Sequence, residues 1–136
     1  MSDGAHLPFE SLDFLYMPST EVAADVDYFV DVLGAEHVFR IEAFGTRVAM
    51  VRLAPGPPRI LFAGHLEGER PILVYRVEDL DRSIAELEGR GWTAGGRFGI
   101  PHGPVCEITT PGGHRLAMYE LTRPGADEHL AGRRDF

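Results

Sequence analysis

A chain of 136 residues with 44% apolar side chains holds enough material for one compact domain and too little for two. A formal charge of -8 argues against a cationic nucleic-acid groove, and no apolar run approaches the roughly 20 residues of a membrane span. The single cysteine, Cys106, rules out an intrachain disulfide, and the absence of lysine rules out Schiff-base chemistry, since all 13 basic side chains are arginine.

In chain order, the short apolar stretch Leu12–Met17 reads as a strand. A helix follows from Ser19-Thr20 to Leu33-Gly34, with Val22, Val26 and Phe29 making one apolar stripe. Three strands are expected next, near His37–Ala43, Thr46–Leu53 and Arg59–Ala63, the last entered through Pro55-Gly56. The polar stretch His65–Pro71 is a hinge. The same order then recurs: a strand at Ile72–Val77, a helix from Asp79 to Gly89-Arg90-Gly91 striped by Leu80, Ile84 and Leu87, and strands near Thr93–Phe98, Val105–Thr109 and Arg115–Leu121. The helical stripes repeat at an offset of 58, and the Pro-Gly turns, Pro55-Gly56 and Pro111-Gly112, at 56.

The chain is therefore expected to be α+β and to consist of two βαβββ modules, residues about 10–66 and 69–123, with a polar tail at 124–136. Residues two apart share a strand face. With helices over one face, the modules form two curved mixed sheets around a central cleft. Ile60, Phe62, Leu73, Tyr75, Val77, Leu116 and Met118 then face the helices. Phe14, Tyr16, Arg59, Leu61, Ile72, Val74, Arg76, Arg115, Ala117 and Tyr119 face the cleft.

Three stretches in this frame, Asp27-Tyr28-Phe29-Val30-Asp31-Val32-Leu33-Gly34, Tyr75-Arg76-Val77-Glu78-Asp79-Leu80-Asp81 and Thr110-Pro111-Gly112-Gly113-His114, carry a resemblance. The chain resembles the vicinal oxygen chelate superfamily of glyoxalases, bleomycin-resistance proteins and extradiol dioxygenases over residues 12–121. The resemblance implies paired βαβββ modules, a cleft, and a homodimer. In metal-dependent members four strand positions carry His or Glu; carried over, they fall on Phe14, Leu61, Ile72 and Ala117. None of these side chains offers a donor to a divalent cation, so no metal and no cofactor is expected.

Other residues carry groups capable of chemistry. Glu107 falls on the cleft face of its strand and reads either as a general base or as half of an ion pair. His65, Glu107 and His114 are the material for a displaced metal site, against a reading of His65, His102 and His114 as solvated loop residues. Arg59 and Arg115, equivalent in the repeat, read as a clamp for a ligand carboxylate or as solvated rim residues. Cys106, by alternation, is an inert buried thiol.

The leading expectation is a cytoplasmic, metal-free protein that binds a hydrophobic or cationic small molecule, such as an antibiotic or toxic metabolite, with neither nucleic acid nor membrane as partner. The alternative is a glyoxalase- or dioxygenase-type enzyme using Glu107 or the displaced metal site. A third reading, a partner-binding or accessory domain without a ligand, has the cleft filled by its own side chains, among them Phe14, Tyr16 and Phe44.

Overall fold

A computed structural model describes residues 7–43 and 45–136; Phe44, considered above as a cleft filler, lies outside them. The elements run β1 (Ser11–Pro18), α1 (Val22–Asp31), β2 (Glu36–Ala43), β3 (Thr46–Arg52), β4 (Arg59–Ala63), β5 (Ile72–Val77), α2 (Leu80–Glu88), β6 (Arg97–Ile100), β7 (Gly103–Thr109), β8 (Arg115–Glu120) and α3 (Ala126–Leu130). The βαβββ order occurs twice, as the repeat requires. α1 starts two residues later than Thr20 because the Ser19 hydroxyl is spent locally, donating to Asp25 Oδ2 (2.5 Å) and accepting the Glu21 N–H (3.3 Å). α2 starts beside Asp79 as expected, and the Asp79 side chain caps it, Oδ1 accepting the Arg82 N–H at 3.0 Å. β6 begins at Arg97 rather than Thr93, since Gly95 passes so close over β7 that a Cβ there would strike the Glu107 carbonyl oxygen.

The eight strands form one curled mixed sheet in the order β2-β3-β4-β1-β5-β8-β7-β6. Each module contributes four adjacent strands, and the module sheets are continuous with one another through the antiparallel β1–β5 pair. β1–β4 and β5–β8 are parallel. β4 and β8 consequently run in opposite directions, and their first residues lie at opposite mouths of the half-barrel.

Alternation sorts the side chains as the pattern demands. Val22 and Val26 of α1 pack on Ala49, Val51, Ile60 and Phe62 outside the sheet, while Leu80 of α2 packs on Val77, Cys106 and Met118. The inner face carries Phe14, Tyr16, Phe39, Met50, Leu61, Ile72, Val74, Ala117 and Tyr119 in one buried cluster. Cys106 is fully buried, hydrogen-bonds weakly at 3.9 Å to the Gly95 carbonyl, and burial pushes its thiol pKa up. A thiol reagent such as DTNB is expected to label it only after denaturation; stoichiometric labelling of native protein would contradict the packing of α2 on β7.

The tail folds back on its own body. After β8 the chain crosses one mouth, forms α3, and runs along the edge strand β2: Arg40 N–H donates to the Arg133 carbonyl (2.8 Å) and Asp135 N–H to the Arg40 carbonyl (2.9 Å). Phe136 ends against the α1 cluster with the Arg47 guanidinium 4.5 Å above its ring. This strap covers an otherwise unpaired strand edge and delivers α3 to the mouth.

Candidate functional site

The interior of the half-barrel is closed. Leu61, Ile72 and Val74 are 0% exposed, Ala117 1%, Tyr16 2% and Phe14 4%. Burial also lifts the Tyr16 hydroxyl pKa to about 12. Above this floor, at the mouth crossed by the strap, lies a cavity of about 300 Å³.

Two hydrogen-bonded groups build its walls. The first surrounds Asp13. Ser11, Arg76 and Tyr119 stand in one row across β1, β5 and β8. Ser11 Oγ donates to Asp13 Oδ1 (2.5 Å), Tyr119 Oη donates to Oδ2 (2.5 Å), and Arg76 Nε lies 3.3 Å from the same oxygen. Burial, followed by the bond to Asp13, raises the Tyr119 pKa, so the phenol stays protonated.

The second group joins His102 to α3. His102 sits in the two-residue turn between β6 and β7, and Gly103 beyond it passes so near β8 that a Cβ would meet the Glu120 carbonyl oxygen. The strap holds the turn, with Thr122 and Arg123 N–H groups donating to the His102 carbonyl at 3.1 and 3.0 Å. The ring packs on Phe14 (centroids 4.6 Å) and is 4% exposed. Its Nε2 lies 2.6 Å from Asp127 Oδ1, whose other oxygen pairs with Arg59. Burial first, then the charges of Arg59 and Arg123, lowers the His102 pKa to about 4. The neutral ring therefore donates from Nε2, leaving Nδ1 a buried lone pair with no partner among the described residues.

Four of the expected cleft residues, Phe14, Arg59, Arg76 and Tyr119, thus meet in this cavity, while Tyr16, Leu61, Ile72, Val74 and Ala117 lie beneath it as packed core. Arg115 does not join them. The antiparallel relation of β4 and β8 sends it to the opposite mouth, where its Nη1 donates to the Glu67 and Arg70 carbonyls (2.9 Å each) and its Nη2 is 3.7 Å from Glu107. The expected Arg59–Arg115 clamp is corrected accordingly. Glu107 shares the face of Val105 at that far end, outside the cavity.

Of the loop histidines, His65 and His114 are exposed as expected and His102 is not. His102 is buried, and exposed His65 is held at the far mouth between Tyr16 Oη (3.1 Å) and Thr46 Oγ1 (3.2 Å). Sequence reasoning missed Asp13 and Asp127 altogether. A bulge between Leu12 and Phe14 breaks the alternation, so that Asp13 and Phe14 both reach the cavity; Asp127 depends on where the tail folds.

No family profile and no curated protein sequence matches the chain. Solved structures do. A methylmalonyl-CoA epimerase from Mycobacterium tuberculosis superimposes with a TM-score of 0.72 at 20% identity, covering 87% of this chain and 92% of that one. Hypothetical protein BH1468 from Bacillus halodurans gives 0.69 at 15% identity over 81% and 93%. A Streptomyces coelicolor methylmalonyl-CoA epimerase variant in complex with 2-nitronate-propionyl-CoA gives 0.67 at 14% over 85% and 96%. The chain has the vicinal oxygen chelate fold. Within that fold the four positions carried over for metal ligands, Phe14, Leu61, Ile72 and Ala117, do converge in the inner cluster. Their side chains contain no oxygen, nitrogen or sulfur donor, so the residues present do not fit a metal there. Among the described residues no three His, Cys, Asp or Glu side chains gather into an alternative metal site, and the displaced arrangement of His65, Glu107 and His114 does not form.

Proposed function

We propose that this protein binds a small organic molecule, hydrophobic or cationic, without a metal, and does so at the strap-covered mouth rather than in the barrel interior. The carrying observation is the 300 Å³ cavity, walled by the Asp13–Tyr119–Arg76 and His102–Asp127–Arg59 groups, above a floor with no free space. Convergent polar groups on an apolar base are what orient a bound ligand, and Phe14, Leu121, Pro55 and Pro57 supply the base. Sequestration of an antibiotic or toxic metabolite, in the manner of the bleomycin-resistance branch, by a cytoplasmic homodimer is the biological form of this reading. No helix among the described residues is long and apolar enough to cross a membrane.

Thermal unfolding against a panel of small hydrophobic, cationic and anionic compounds tests the proposal. A true ligand at a hundred times its Kd adds about 2.7 kcal/mol to stability, saturably. Leu121→Trp, which fills the cavity, is expected to abolish that gain while leaving the unliganded protein folded. Stabilisation undiminished in Leu121→Trp, or absent for every compound, would contradict the assignment. Light scattering on the same samples checks the dimer.

A further inference from the structure

α3 has a cavity on each side. The first is the mouth described above; the second, also about 300 Å³, is lined by Glu36, His37, Val38 and Arg52 from β2 and β3. Both cavities share Arg59, Asp127 and Glu128, so the Arg59–Asp127 ion pair forms a partition between two lobes.

The two halves of that pair are not equally held. Asp127 has a second partner in His102 Nε2 (2.6 Å), and its helix is anchored by buried Ala126 and Leu130. The Arg59 guanidinium has only Asp127 among the described residues, and its side chain is 37% exposed on a flexible stem. If the partition opens, Arg59 is the side that leaves. The remaining charges favour a positive replacement. Arg76 is engaged by Asp13 at 3.3 Å and Arg52 by Glu36 at 2.9 Å, whereas Glu128, which lines both lobes, has no ion-pair partner among the described residues. The chain's charge of -8 favours the approach of cations over anions.

We propose that the two lobes are one elongated site for an organic cation with an apolar body, whose positive group displaces Arg59 and lodges between Asp127 and Glu128. The inference rests on the binding function proposed above and assigns its ligand class. His102 has a stated part in it: its Nε2–H keeps the Asp127 carboxylate in place when the guanidinium swings to solvent. Arg59 then acts as an internal competitor that any ligand must displace, which sets affinity and excludes anions and neutral compounds.

Calorimetric titration with heptyltrimethylammonium, 1-heptanol and heptanoate, three probes of similar length and different charge, provides the test. The cation is expected to bind at least tenfold more tightly than the other two. Arg59→Met is expected to tighten cation binding at least tenfold, Asp127→Asn to weaken it at least tenfold, and Glu128→Gln to weaken it severalfold. In the Asp127→Asn background the effect of Arg59→Met disappears, with circular dichroism confirming that each variant is folded. Heptanol or heptanoate binding as well as the cation, or a Kd in Arg59→Met within twofold of the wild type, overturns the partition and the ligand class while leaving a binding pocket in place. Failure of all three probes on both wild type and Arg59→Met also overturns the inference, and the broader compound panel separately decides whether the pocket binds anything.

Discussion

Leu61→Ala is expected to lower the unfolding free energy by about 3 kcal/mol, or about 10 °C in Tm for a chain of this size. Leu61 is one of the four positions onto which the resemblance carries a metal ligand, and it is 0% exposed inside the inner cluster with Phe14, Tyr16 and Ile72. Truncation leaves a dry cavity, so the lost transfer free energy is joined by the lost packing of the neighbours. On the wall of an open cleft the same leucine would already touch water and its removal would cost well under 1 kcal/mol. Chemical denaturation of the two proteins separates these cases, and the small value would contradict the closed floor.

Acid should weaken the fold through His102. Its folded pKa, about 4, lies below the ordinary 6.5, so between these values the unfolded chain binds a proton that the folded chain does not. Stability therefore rises with pH across this window and is lost as pH falls from about 6.5 to about 4, by about 3 kcal/mol from this group. The cause is physical: an imidazolium there would be buried 4% exposed beside Arg59 and Arg123, and the Asp127 carboxylate is already shared with Arg59. His102→Gln keeps a polar side chain but cannot titrate. Its stability measured from pH 4 to 7 should show a shallower slope than the wild type by that amount; parallel slopes would place His102 in solvent.

Much of the architecture was legible. The offset of 58 between the helical stripes placed α1 and α2, and β4 and β5 fall where the pattern put them. Period-two alternation separated Ile60 and Phe62, under α1, from Leu61 inside. Local signals also located the start of α2 at Asp79, whose side chain acts on the backbone three residues away. The site was less legible because it is made by long-range choices. The β1–β5 junction decides that Arg59 and Arg115 go to opposite mouths, and no property of either residue records it. A one-residue bulge brings Asp13 to the cavity against its alternation. Asp127 reaches Arg59 only because the tail crosses the mouth and pairs with β2, a path set by Leu130 and Phe136 finding apolar cover rather than by any motif.

The central claim is that ligand binds at the strap-covered mouth above a closed floor. Intermolecular NOEs between the strongest stabilising compound of the panel and isotope-labelled protein test it most directly. The account predicts contacts to Phe14, Tyr119, Leu121 and the α3 residues beside Asp127, and none to Leu61, Ile72 or Ala117. Contacts centred on those three floor residues would show that the barrel interior opens to ligand and would contradict the account.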